Sequence, residues 1–152
     1  MKRGFSLLEL LIVLAILGLL LGLGFPSFLR WRAQAELDEA ARALAQAFQY
    51  ARAEAKRANA ERCVRVWREG FAIGANCDTL SASTHRFSQV EVSQVEVSES
   101  NYSSFPHLDV TFKPPYGTTD APLKKFTLRH TRYSQLTRNV HVIGVIGKVV
   151  VR

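Results

Sequence analysis

Met1-Lys2-Arg3-Gly4-Phe5-Ser6-Leu7-Leu8-Glu9-Leu10-Leu11 opens the chain, and the apolar run that starts at Phe5 continues to Phe25, 21 residues with Glu9 as its one charge. At ~1.5 Å per helical residue, such a run just crosses a ~30 Å hydrocarbon layer. The core helix of a soluble domain seldom carries so long an unbroken apolar stretch. A secretory signal peptide would have an apolar core of roughly 7–15 residues and a small-x-small cleavage site behind it. Here the run is longer, and Phe25-Pro26-Ser27-Phe28-Leu29-Arg30-Trp31-Arg32, aromatic and basic, follows it. The segment therefore reads as retained, with Lys2 and Arg3 on the cytoplasmic side and the remainder exported. Glu9 stands out, because a carboxylate inside a membrane helix costs about 2.5–3.5 kcal/mol on insertion scales. From the residues alone it has either a dedicated partner or a place near the interface from which it reaches water.

These opening residues, basic-Gly-Phe-x-x-x-Glu before a long apolar run, resemble the class III leader of type IV pilins and type II secretion pseudopilins. The resemblance implies cleavage after Gly4 by a prepilin peptidase and N-methylation of the new first residue, Phe5. It also implies that Glu9 meets the Phe5 amine of a neighbouring subunit during assembly. Carboxylate and ammonium would each be costly alone in lipid; paired, they offset much of that cost and set the axial register between subunits. The implied setting is the bacterial inner membrane, crossed once, with a periplasmic domain, and then a pilus or pseudopilus. The implied partners are other pilin or pseudopilin subunits, the prepilin peptidase and inner-membrane lipid.

Beyond the membrane segment the pattern stays helical. Leu37, Ala41, Leu44, Phe48, Ala51 and Ala55 recur at alternating steps of four and three, which is one apolar stripe. Alanine is abundant from Ala33 to Ala60 and favours helix and close packing. Acids (Glu36, Asp38, Glu39, Glu54) and bases (Arg42, Arg52, Lys56, Arg57) occupy the other faces, as on a solvated helix surface. One helix from about Ser6 to about Asn59 would be ~80 Å long, more than a small domain can cover, so its first half needs lipid and then other subunits. Gly18, Gly22, Gly24 and Pro26 weaken it midway, as a kink or, on the pilin resemblance, as a stretch that loses helix in the filament. The domain expectation is a leader over 1–4, a transmembrane and assembly helix over 5–29, an amphipathic stem over 30–60 and a β-rich globular domain over 61–152.

Strand signals begin at Arg62. Cys63-Val64-Arg65-Val66-Trp67 alternates, Arg68-Glu69-Gly70 can turn, and Phe71-Ala72-Ile73-Gly74 returns. Cys63 and Cys77 are equidistant from Gly70, so a hairpin centred there would set them opposite each other. In an exported domain that predicts a disulfide, with two separate buried thiols as the alternative. Ser88-Gln89-Val90-Glu91-Val92 repeats as Ser93-Gln94-Val95-Glu96-Val97. An odd period would turn the second valine pair to the other face, so a bulge or break is predicted near Ser93. Pro114-Pro115-Tyr116-Gly117 reads as a turn, with further strands over 108–112, 125–130, 140–143 and 148–152.

The stem from Leu37 to Val66, the layout Phe112-Lys113-Pro114-Pro115-Tyr116-Gly117 and the ending Asn139-Val140-His141-Val142 … Gly147-Lys148-Val149-Val150-Val151 resemble the minor pseudopilin H and minor pilin U/T group. With the leader, the resemblance touches most of the chain except about 78–105. It implies an α+β fold: a long N-terminal α-helix, membrane anchor plus stem, packed on antiparallel β-sheet.

No catalytic set is legible: the chain has no G-x-S-x-G, phosphate loop, C-x-x-C or H-E-x-x-H. His85, His107, His130 and His141 lack metal spacing and read as surface or turn residues, so neither enzyme activity, metal nor cofactor is expected. Asn101-Tyr102-Ser103 fits a glycosylation sequon of a kind that is frequent by chance. Charge is segregated: residues 113–152 carry eight Lys/Arg and one acid, whereas residues 69–112 carry six acids and Arg86. A basic surface attracts phosphate backbones, and the minor pilin T branch includes members that bind DNA through a C-terminal Gly-Arg-x-Arg. Here Lys148 follows Gly147 and Val150 occupies the second Arg position. The candidate DNA contacts are Lys124, Lys125, Arg129, Arg132, Lys148 and Arg152; the alternative is that this face meets an acidic neighbouring subunit. Three functions thus stand: a minor pilin or pseudopilin, a DNA-capturing pilin of natural transformation, and a signal-anchored exported protein with another role.

Overall fold

Ser6 starts the long helix α1 (Leu7–Ala58) in a computed structural model that describes residues 6–97, 100–102, 106–119 and 123–152. The Ser6 Oγ accepts from Leu8 N at 3.2 Å, an N-cap bond. The helix closes where Asn59 takes a left-handed φ of 47° and Ala60 N donates back to Ala55 O, which satisfies an orphan carbonyl. Between these ends α1 is helical without a break, through Gly22, Gly24 and Pro26. The chain divides into two compact units, one up to Gln34 and one from Ala35.

The described part of the first unit is helix alone, and its leucines, isoleucines and valine from Leu7 to Leu21 are exposed. Its best 18-residue window has a mean hydropathy of 2.7 and none of it is buried; by length and composition it is able to cross a membrane.

The second unit is α+β. All six residues of the sequence stripe, Leu37, Ala41, Leu44, Phe48, Ala51 and Ala55, are buried. They lie on two five-stranded antiparallel sheets. Sheet 1 comprises β1 (Arg62–Trp67), β2 (Gly70–Gly74), β3 (His85–Arg86), β6 (Leu108–Lys113) and β7 (Thr118–Thr119) in the order β3-β2-β1-β6-β7. Sheet 2 comprises β4 (Val90–Val97), β5 (Ser100–Tyr102), β8 (Leu123–His130), β9 (Thr137–Ile143) and β10 (Lys148–Val151) in the order β10-β9-β8-β4-β5. Val64, Val66, Val110 and Phe112 from sheet 1, with Val92, Val95, Phe126, Leu128, Val140 and Val142 from sheet 2, complete the core. Phe48 touches both halves: its ring centroid is 6.5 Å from Phe112 and 5.3 Å from Phe126.

In the valine repeat, the β4–β8 register shifts between Val92 and Gln94, which places the bulge at Ser93, whose Oγ donates to Thr127 O at 3.1 Å. That one extra residue restores the period, so Val90, Val92 and Val95 are all buried.

Cys63 and Cys77 form a disulfide with Cα atoms 5.3 Å apart, but the predicted symmetry about Gly70 does not produce it. The hairpin turns at Arg68-Glu69: Trp67 pairs with Gly70, and Cys63 stands opposite Gly74. Cys77 reaches Cys63 from a short 3-10 turn (Cys77–Thr79) beyond the strand end, capped by Asn76. Arg65 Nη1 pins the same loop by donating to Leu80 O at 2.9 Å. Replacing both cysteines by serine should lower unfolding stability by about 3 kcal/mol, the loop-closure value for a cross-link of this span. Chemical denaturation of the two forms checks this; an unchanged midpoint would mean that the Arg65 anchor alone suffices.

Candidate functional site

The leader's scissile residues, Gly4 and Phe5, lie outside the described residues. Glu9 sits in the first turn of α1, with its side chain exposed among leucines. A carboxylate there interacts favourably with the helix dipole, worth about 0.3–1 kcal/mol at an exposed site. Further along the same unit, a Cβ added at Gly18 or Gly22 would meet nothing within 4 Å. Packing inside one subunit therefore does not demand glycine at either position.

The C-terminal basic segment changes character on folding. The acidic strand β4 pairs with the basic strand β8, setting Glu91 opposite Arg129 and Glu96 opposite Lys125. Arg129 Nη2 donates to Glu91 at 2.6 Å, Arg68 Nε to the same carboxylate at 2.8 Å, and Lys125 Nζ to Glu96 at 2.8 Å. The Arg129 hydrogen bond first, then that of Arg68, holds the Glu91 carboxyl below its usual range. Lys124 belongs to the opposite face of β8: it is 5% exposed and its Nζ donates to Asp109 O across to sheet 1. It is thus removed from the candidate nucleic-acid contacts, because strand alternation turns it inward. Lys148 is exposed on the edge strand at the Ile143 end of sheet 2, whereas Arg152, paired with Asn139, and Arg132, in the β8–β9 connection, are exposed at the other end. His141, near Lys125 and Arg152, has its pKa lowered first by burial and then by those two cations, so it adds no charge at neutral pH. Of the candidate contacts, Arg132, Lys148 and Arg152 stay exposed outside the β4–β8 ion pairs, split between the two ends of sheet 2 rather than forming the single broad face that the sequence numbers imply.

Sequence reasoning missed two features. His130 is not a surface residue: it is 4% exposed, with Nε2 3.3 Å from Glu36 and Nδ1 accepting from Arg132 N and Tyr133 N. The alternation of β8, which buries Phe126 and Leu128, was the available signal. Asp109 also hides a role. It meets the two sulfurs in one cluster, yet those sulfurs are bonded to each other and both Asp109 oxygens accept from Arg65 at 2.7 Å. The arrangement is structural: it ties β1, β6 and the cystine loop together.

The prokaryotic N-terminal methylation motif matches residues 1–25. Over 69 residues the chain is 51% identical to the pilin-like protein PilA1 of Thermus thermophilus, a stretch covering 45% of this chain and 43% of that protein, less than half of either. Two crystal structures of the type IV minor pilin FimU of Pseudomonas aeruginosa have a similar fold. Their TM-scores are 0.57 and 0.56 at 21% identity, covering 78% and 76% of this chain and 89% and 92% of theirs. At that identity the likeness speaks for the fold alone. A methylation motif heading an exposed apolar helix, a half-identical stretch shared with a pilin-like protein, and this two-sheet fold make the chain similar to type IV pilins.

Proposed function

We propose that this chain is a minor pilin or pseudopilin, a structural subunit held in the inner membrane by residues 5–29 until it is assembled into a type IV pilus or a secretion pseudopilus. One observation carries the reading: a methylation motif leads directly into a helix whose best 18-residue apolar window, among the described residues, is not buried at all. Such a surface needs lipid first and neighbouring helices afterwards. The roles assigned to Gly4, Phe5 and Glu9 follow from that motif. Gly22, Gly24 and Pro26 are the proposed weak point, since Pro26 gives no N–H to the helix ladder and glycine adds backbone freedom. Sequence likeness to a pilin-like protein and fold likeness to a minor pilin support the pilus form of this reading.

Processing tests it. Mass spectrometry of the chain recovered from membranes should find the mature protein starting at N-methylated Phe5. A chain still carrying Met1, or one cut beyond Phe25, overturns the proposal.

A further inference from the structure

Two turns at one end of the second unit present apolar side chains to solvent. In the β9–β10 hairpin, Gly147 N donates to Gly144 O, closing a turn whose central residues are Val145 and Ile146, 61% and 60% exposed. Turns normally place polar or glycine residues there. This one is also held rigidly. Thr119 N donates to Val145 O at 2.9 Å, and at Gly147, with φ +63°, a Cβ would come within 2.9 Å of the Phe112 ring and 3.4 Å of Gly117 O. Gly117 closes the neighbouring turn, lies against Arg52 and Lys56 of α1, and follows Tyr116, which is 73% exposed. Tyr116, Val145 and Ile146 thus form a pre-set apolar tip, with the exposed Lys113 and Lys148 beside it. Pre-setting lowers the entropy lost on docking.

A groove of about 190 Å³ lies where the N-terminal part of the unit's helix meets β2 and β3. Ala40 and Ala43 line it from the helix; Phe71 and Phe87, 5.8 Å apart, line it from the sheet side. Glu36, Glu39 and Arg86 edge it, so carboxylates outnumber cations. The volume falls below the roughly 300–1,000 Å³ of small-molecule sites and suits protruding side chains. From Ala40 to Arg52 the helix rises about 18 Å, so groove and tip occupy opposite ends of the unit.

We infer that the tip of one copy docks into the groove of a second copy of this chain, apolar against aromatic and Lys148 against Glu39. The contact is head-to-tail, using two different patches, and such contacts propagate rather than close when their rotation is not that of a ring. The inference rests on the reading of the chain as a filament subunit and names the surfaces that its second unit would use.

The test joins two full-length, differently tagged copies in sheared filaments. One carries Ile146→Cys and the other Ser88→Cys at the groove wall, and a short bismaleimide links them; Cys63 and Cys77, being oxidised, do not react. A mixed dimer from this pair, at least tenfold above the pair Asn139→Cys with Ser88→Cys, is the expected result. Glu39→Lys in the groove copy should cut the yield, and Lys148→Glu in the tip copy should restore it. Absence of the mixed dimer, dimers joined only at Ile146→Cys to itself, or an adduct with a different protein would each overturn the inference. Scoring the Phe5 N-terminus in the same samples separates a failed interface from a failed pilin reading.

Discussion

Glu9→Leu is expected to leave the chain in the membrane and to remove it almost entirely from filaments. Insertion should not suffer, because the substitution takes the one charge out of a 21-residue apolar run. Helix formation should barely notice: a carboxylate at an exposed helix start contributes about 0.3–1 kcal/mol, and Ser6 still caps. Assembly is different. If the Glu9 carboxylate meets a Phe5 ammonium between packed helices, deleting it strands a buried charge, at about 3–5 kcal/mol. At 1.4 kcal/mol per tenfold, that exceeds a hundredfold in incorporation. The measurement is the ratio of chain in sheared filaments to chain in membranes. A loss of only a few-fold would match the dipole contribution and make Glu9 an ordinary charge at a helix start. Glu9→Gln sharpens the comparison, since it keeps the shape and polarity while removing the ion.

What was legible in the sequence divides along a physical line. Periodicity along one element survives folding unchanged, so the six-residue stripe of α1 and the bulge at Ser93 could be read without a partner. The cystine was read correctly from a wrong construction: the hairpin centre lay at Arg68-Glu69, and the reach of Cys77 came from a 3-10 turn that alternation cannot reveal. Charge failed for a related reason. Segment totals of opposite sign suggest two surfaces, but β4 and β8 are neighbours, and their pairing turns segregation along the chain into cross-strand ion pairs. Which strand neighbours which depends on topology, and no single segment encodes it. The apolar tip was hidden by the same ambiguity, since Val145 and Ile146 look like strand residues until Gly144 and Gly147 are seen to close a turn around them.

Phe48→Ala should be the most damaging single substitution in the second unit, at about 3–5 kcal/mol, against a typical total of about 5–15 kcal/mol. Removing the ring deletes a large buried aromatic and opens a void that its neighbours cannot close, because each is fixed in a different sheet. Phe112 belongs to β6 and Phe126 to β8, and Phe48 packs against both from the helix. An exposed helix neighbour such as Gln49→Ala should stay within about 0.5 kcal/mol. Hydrogen exchange adds a reading that stability alone does not. If Phe48 couples the two sheets, amides of Val64 and Val110 in sheet 1 should lose protection together with those of Leu128 and Val140 in sheet 2. Loss confined to one sheet would mean that the sheets open independently, each held by its own part of the stripe, and Phe48 would then be a large core residue without a bridging role.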